Sequence, residues 1–159
     1  MNSKIKTVLF PGSFDPVTKG HYNVVERALN LFDKIIVALG ENSQKKCLFS
    51  IKKRLALLES SFSELDRVEV ISYKGLTASY CLKKNIKFIV RGIRNETDFS
   101  IEKTIHSVNK QLNSKLETIS LFTKKEYSDI SSSVVRDVYL NGGDVTPFLP
   151  KKVDISLFK

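Results

Sequence analysis

The sequence predicts an α/β fold, a doubly wound five-stranded parallel sheet with helices on both faces, and three observations predict it. Short apolar runs alternate with amphipathic stretches of helical period along the chain. Strand and helix alternate five times, which implies right-handed crossovers and hence parallel strands. Each conspicuous polar cluster follows the carboxyl end of an apolar run, where ligands bind on open α/β sheets. At 159 residues the chain is expected to be one domain, spanning residues 1–159, with one core.

Val8, Leu9 and Phe10 close the first apolar run, and Pro11 should end that strand because proline cannot donate to a ladder. Gly12 lets backbone amides approach a ligand, Ser13 adds a hydroxyl, and Asp15 and Pro16 hold a turn. From Gly20 onward, Val24, Val25, Ala28, Leu29 and Phe32 recur at helical spacing, which places His21 in a first turn. Helices ordinarily enrich Asp and Glu there, but the first acid is Glu26, so the amides stay available to an external anion. Taken alone, the stretch also reads as a plain strand-to-helix turn with an exposed histidine.

Lys34–Leu39 reads as the second strand, and Gly40–Cys47 as a polar loop carrying Lys45 and Lys46. Ser50 can cap the next helix, whose stripe Ile51, Leu55, Leu58, Phe62 and Leu65 is assigned to the core. Arg67–Tyr73 forms the third strand; Gly75 follows, then a helix over Leu76–Lys84 with Thr77 at its start. Ile86–Val90 is the fourth strand and runs straight into an arginine loop, Arg91–Thr97. Asp98 can cap a long helix with Ile101, Ile105, Val108 and Leu112 on one face, and His106 falls off that face. Leu116–Phe122 makes the fifth strand. Ser131–Ser133 opens a helix through Val134, Val135, Val138 and Tyr139, stopped by Gly142 and Gly143. Its first turn also lacks acids until Asp137, and residues 144–159 read as a polar turn with a short closing helix.

The formal charge is +9, from 26 basic and 17 acidic residues, which suits nucleic acid, a membrane surface or anionic small substrates. The basic residues are scattered as short pairs with little aromatic interleaving, unlike a stacking platform for nucleic acid. Only 6 of the 26 are arginine, and two of those sit in Arg91-Gly92-Ile93-Arg94. Cys47 and Cys81 have no metal-site spacing, and Pro11 and Gly12 interrupt the N-terminal apolar run too early for a signal peptide. No stretch approaches the roughly 20 apolar residues of a membrane span. A reduced, cytoplasmic protein without a nucleic-acid or membrane partner is the expectation. Two helix starts, at Gly20-His21 and Ser131–Ser133, with Lys45, Arg91 and Arg94 from loops, suit a polyphosphate and a second phosphate.

Thr18-Lys19-Gly20-His21, following Gly12-Ser13-Phe14-Asp15-Pro16, resembles the (T/S)xGH signature of the nucleotidyltransferase superfamily. Several relatives there carry HxGH, and Thr18 in place of the first histidine points to the phosphopantetheine adenylyltransferase branch. Arg91–Arg94 is similar to the RGxR element of that family, and Tyr127-Ser128-Asp129-Ile130-Ser131-Ser132-Ser133 to its serine-rich segment. Gly143-Asp144-Val145-Thr146 with Phe148-Leu149-Pro150 is a further match, so the resemblance runs from Phe10 to Leu149. Ser13 stands where threonine is frequent, Tyr127 where tryptophan is frequent, and Cys47 where proline is common.

The resemblance implies a Rossmann-like fold and transfer of AMP from ATP to the phosphate of 4′-phosphopantetheine, giving dephospho-coenzyme A and pyrophosphate. With a second pKa of about 6, that acceptor phosphate needs no general base. Catalysis then reduces to positioning and charge stabilisation at the α-phosphate. By resemblance, His21 stabilises the transition state and faces the α-phosphate together with the Phe14 amide, while Ser13, Lys45 and Arg91 hold the incoming phosphate. Gly92, Ile93, Arg94 and Glu102 would line the nucleotide side. Tyr127, Ser128, Asp129, Ile130, Ser131, Ser132 and Ser133 would meet the adenine and outer phosphates, and Thr77 the pantetheine arm. Mg2+ is expected with ATP, on phosphate and water ligands, with no protein metal ligand identified. The resemblance suggests a homohexamer. The alternatives are a cytidylyl- or nicotinate-type nucleotidyltransferase on the same fold, which Thr18 disfavours, and a basic RNA-binding or nucleotide-sensing protein without chemistry.

Overall fold

The computed structural model describes residues 5–41 and 46–158. Strands β1 (Thr7–Gly12), β2 (Lys34–Glu41), β3 (Val68–Lys74), β4 (Phe88–Ile93) and β5 (Glu117–Phe122) form one parallel sheet in the order β3-β2-β1-β4-β5. Helices α1 (Lys19–Ala28), α2 (Ile51–Phe62), α3 (Thr77–Lys83) and α4 (Glu96–Leu112) connect them. Helix α5 (Ser132–Leu140) follows β5, with 3-10 turns at Lys125–Tyr127, Thr146–Phe148 and Ile155–Phe158. The chain winds outward from β1 to β3 and then returns beside β1 to form β4, so the winding direction reverses between β1 and β4. The carboxyl ends of these two strands therefore diverge around a crevice.

Side chains of a strand alternate between its faces, and β1 accordingly feeds two cores. Val8 and Phe10 join Val24, Val25 and Ala28 of α1, Leu57, Leu58 and Phe62 of α2 and Val135 of α5. Leu9 joins Ala78 and Cys81 of α3 with Ile89 and Leu116 on the opposite face. Each Val, Leu, Ile or Phe side chain buried in this way stabilises the fold by about 1.5–3 kcal/mol. Among the described residues no helix is long and apolar enough to cross a membrane.

Several boundaries differ from those expected. β1 runs on through Pro11, which is in register with Ala38 of β2, whereas the ladder with β4 covers only Val8↔Phe88 and Leu9↔Ile89. Proline is tolerated because the ladder with β4 has already ended, and the Pro11 carbonyl accepts from the Arg91 guanidinium. α1 stops at Ala28, so Phe32 reaches the core from the following turn. In α2, Ile51 is exposed and the buried face is Arg54, Leu57, Leu58, Ser61 and Phe62. β4 contains Arg91, Gly92 and Ile93, read from sequence as loop, because they continue the register with Ser120, Leu121 and Phe122 of β5. α4 is capped by Asn95 instead of Asp98: the Asn95 side chain accepts from the Asp98 amide at 2.9 Å. The stripe Ile101, Ile105, Val108 and Leu112 lies exposed along α4, and only Glu102 of that helix is fully buried.

Candidate active site

Two adjoining cavities, of about 330 and 680 Å³, open at the carboxyl ends of the strands. Pro11, Gly12, Ser13, Arg91 and Glu102 belong to both walls, so ligands in the two cavities would meet there. The smaller cavity takes in the starts of α1 and α5, and the larger one the start of α3.

His21 is fixed by the cap of its own helix. Thr18 is the N-cap of α1; its amide donates to His21 Nδ1 at 3.0 Å, and its hydroxyl oxygen accepts from the His21 amide at 3.4 Å. This is a capping box in which histidine takes the place of the usual Glu or Gln. Nδ1 is an acceptor in this arrangement, so the ring proton resides on Nε2. The Phe14 ring packs edge-on against the imidazole, with centroids 5.1 Å apart, and Phe10 lies at 6.1 Å. Withdrawal from solvent, reinforced by the Arg91 and Arg94 charges, lowers the His21 pKa from 6.5 to about 3. The folded value is below the unfolded one, so the stability tied to neutral His21 is present above pH 6.5 and lost as pH falls toward 3. A proton NMR titration should therefore show no ionisation step for the His21 ring between pH 8 and 5. A midpoint near the ordinary histidine value would contradict the neutral-donor assignment.

Neither α1 nor α5 carries an acid in its first turn. Ser131 caps α5 by accepting from the Val134 amide at 3.2 Å, and its hydroxyl lies 2.9 Å from that of Ser133. Ser132 donates its hydroxyl to the Pro16 carbonyl at 2.8 Å, which ties the start of α5 to the loop before α1. Arg94 forks onto Asp98, with Nε to Oδ2 at 2.8 Å and Nη2 to Oδ1 at 3.0 Å, and also donates to the Ile130 carbonyl at 3.4 Å. The hydrogen bond from Arg94 holds the Asp98 carboxyl below the usual carboxylate range. Arg91 donates one Nη to the Pro11 carbonyl and the other to Glu102 Oε1. Glu102 Oε2 is buried without a hydrogen-bond partner among the described residues, an acceptor that a bound ligand or water would satisfy.

Of the residues singled out from sequence, Phe14, His21, Gly92, Arg94 and Ile130–Ser133 line the smaller cavity, and Ser13, Arg91 and Glu102 line both. Thr77 lines the larger cavity, its hydroxyl 2.7 Å from that of Tyr73. Ile93 is buried behind the wall, and Tyr127, Ser128 and Asp129 stand outside both cavities, on and just after the 3-10 turn that precedes Ile130. Lys45 lies outside the described residues; its neighbour Lys46 lines the smaller cavity. Two glycines make the packing possible. A Cβ on Gly12 would lie 2.8 Å from the Phe14 ring, and one on Gly92 2.8 Å from Val24 Cγ2.

Sequence reasoning gave Asp15 the task of holding the loop between β1 and α1 but missed the partners that fix it there. Asp15 is buried and accepts from the Leu48 and Phe49 amides at 2.8 and 2.9 Å. Arg54 donates to the Ser13 carbonyl at 2.7 Å and the Phe49 carbonyl at 3.0 Å. Arg136 donates to the Asp15 carbonyl at 2.6 Å. The available signal was the scarcity of arginine: four of the six, Arg54, Arg91, Arg94 and Arg136, bond to this site or its supports.

Residues 9–138 match the cytidylyltransferase-like family. Proteins named phosphopantetheine adenylyltransferase are similar over almost their whole length. The one from Cytophaga hutchinsonii is 47% identical, covering 93% of this chain and 99% of the relative. For Flavobacterium psychrophilum the values are 46%, 95% and 99%, and for Thermotoga neapolitana 41%, 95% and 94%. Among solved structures, a Vibrio parahaemolyticus protein provisionally named nicotinate-nucleotide adenylyltransferase has a TM-score of 0.72 at 18% identity, covering 98% of this chain and all of that one. The bifunctional NMN adenylyltransferase/ADP ribose pyrophosphatase of Francisella tularensis has a TM-score of 0.69 at 19% identity, covering 94% of this chain and 46% of that one. The structural likeness establishes the fold, and the 41–47% identity to the curated relatives goes further: this chain belongs to the phosphopantetheine adenylyltransferase family of nucleotidyltransferases.

Proposed function

We propose that the protein transfers AMP from ATP to 4′-phosphopantetheine, giving dephospho-coenzyme A and pyrophosphate. The observation that carries this reading is the pair of cavities sharing Ser13 and Arg91. The smaller offers a triphosphate two acid-free helix starts and a neutral imidazole N–H. The larger offers the acceptor arm hydroxyls from Tyr73 and Thr77 beside apolar Ile105. The acceptor phosphate would then lie at the shared wall, with Ser13, Arg91 and, by family resemblance, Lys45.

In the reaction, an oxygen of the acceptor phosphate bonds to the α-phosphorus while the bond from that phosphorus to the α,β-bridging oxygen breaks in line. Pyrophosphate leaves with the electron pair. The acceptor is largely a dianion at neutral pH, its second pKa being about 6, so no base is needed. His21 is ill suited to that task because its acceptor nitrogen is occupied by the Thr18 amide. Its Nε2–H serves as a preorganised donor to the charge that develops at the α-phosphate, with the Phe14 amide beside it. Arg91 is held ready by Pro11 and Glu102 before the acceptor arrives.

Mg2+ would enter as part of the ATP complex. Among the described residues no three His, Cys, Asp or Glu side chains come together to hold an ion. Of the carboxylates at the cavity walls, Asp15 accepts from backbone amides, Asp98 pairs with Arg94, Glu41 lies 3.6 Å from Lys74, and Glu102 bonds Arg91 through Oε1 while its Oε2 has no hydrogen-bond partner among the described residues. Phosphate oxygens and water would suit the ion as ligands, and its chemistry would be to offset phosphate charge. The exposed Ile101, Val108 and Leu112 of α4 support a homo-oligomer, a hexamer by family resemblance, in which a second copy covers them. A reduced cytoplasmic setting is part of the same proposal.

The α5 start can be tested at Ser133, which is exposed, whereas Ser132 is committed to Pro16. Ser133→Asp should weaken ATP binding by about tenfold or more through like-charge repulsion. The same acid should stabilise the folded chain by about 0.3–1 kcal/mol through the helix dipole. A more stable protein with unchanged ATP affinity would remove the triphosphate from this helix start. The reaction itself is tested by incubation with ATP and 4′-phosphopantetheine, which should yield dephospho-coenzyme A and pyrophosphate in equal amounts. Nicotinate mononucleotide as acceptor should yield neither; the reverse pattern would move the protein to the nicotinate type.

A further inference from the structure

We propose that Arg54 is a positioning residue for AMP transfer: by holding the Ser13 carbonyl it keeps the Phe14 amide turned toward the reacting phosphate. This rests on the reaction proposed above. Arg54 projects from α2 and is only 5% exposed. Burying a guanidinium is costly unless its donors are satisfied. Among the described residues no carboxylate lies within ion-pair distance of Arg54, and its observed acceptors are two backbone carbonyls, those of Ser13 and Phe49. It belongs to neither cavity wall, whereas Ser13 and Phe14 both line the smaller cavity, so the guanidinium stands behind the loop.

The consequence follows from peptide geometry. The Ser13–Phe14 peptide is trans, and in a trans peptide the C=O and N–H point in opposite directions. Drawing the Ser13 oxygen back toward α2 therefore directs the Phe14 N–H away from α2. Phe14 also has a φ of 43°, a left-handed conformation that L side chains other than Asn and Asp rarely adopt. A half-turn of this one peptide would carry that angle to roughly −140°, among the negative values that L residues ordinarily adopt. The flip would relieve the positive φ at Phe14, and the flipped peptide would present a carbonyl oxygen to the phosphate in place of a donor. The rest of the loop is pinned independently. Arg136 holds the Asp15 carbonyl, the Leu48 and Phe49 amides hold the Asp15 carboxylate, and Ser132 holds the Pro16 carbonyl. Arg54 acts on the peptide bearing the Phe14 amide itself, through the Ser13 carbonyl.

The test compares Arg54→Gln, which severs the fork, with Arg54→Lys, which keeps the charge. Each should lower the single-turnover rate at saturating substrates by about 10²-fold, the usual effect of losing one transition-state donor. The ATP dissociation constant should move by less than about threefold, because the missing interaction belongs to the transition state. A crystal structure of Arg54→Gln should show the Ser13 carbonyl turned into the cavity and a negative φ at Phe14. An unflipped peptide overturns the proposal, as does an undiminished rate, or a loss of ATP affinity equal to the loss of rate. If Arg54→Gln does not fold, the same readings on Arg54→Lys decide. The peptide orientation is read without acceptor, so failure of the unsubstituted protein to use 4′-phosphopantetheine would count against the reaction alone.

Discussion

Replacing His21 with alanine should lower kcat by about 10²–10³ while changing the ATP dissociation constant much less. Only donors better placed for the transition state than for bound ATP accelerate the step, and the His21 environment favours such a role. Its tautomer is set by the Thr18 amide, its ring is held by Phe10 and Phe14, and burial beside Arg91 and Arg94 lowers its pKa to about 3 in the ligand-free site. A neutral donor does not bind the ground-state triphosphate as a cation would. Rapid-quench measurement of the chemical step, paired with ATP titration, separates the two effects. Collapse of ATP affinity with kcat preserved at saturation would make His21 a ground-state ligand.

Arg91→Ala should chiefly weaken binding of 4′-phosphopantetheine, by about 1.5–3 kcal/mol for a lost charged hydrogen bond. The same substitution leaves the buried Glu102 carboxylate without its partner, so part of the damage will appear as lower stability. Adding Glu102→Gln removes that uncompensated charge. The double variant should recover stability but leave acceptor affinity low, as read by calorimetry. Unchanged affinity for 4′-phosphopantetheine in a folded Arg91→Ala protein would return Arg91 to a structural role.

The sheet was legible because a parallel strand covered on both faces must be apolar, and β1, β2 and β4 each announce themselves by such runs. Its limits were less legible. Arg91 and Gly92 read as loop residues, yet the register with β5 carries them as strand, since pairing is decided by the neighbouring strand. The α4 stripe has the same period as a core stripe but lies exposed, because periodicity marks an apolar face without saying what covers it. The site divided in the same way. His21 and the serine-rich helix start were visible because their chemistry is local. Arg54 and Arg136 were not, because the loop carbonyls they hold, those of Ser13 and Asp15, lie 41 and 121 residues away, and a backbone acceptor leaves no signature in side-chain identity.

Pyrophosphate release from ATP, measured with 4′-phosphopantetheine and with pantetheine lacking the phosphate, separates this reaction from every neighbouring one. The phosphate is both the nucleophile and the group that Ser13 and Arg91 are assigned to hold. Release should therefore be rapid with 4′-phosphopantetheine and absent above background with pantetheine, whereas equal turnover of the two would contradict AMP transfer to the acceptor phosphate.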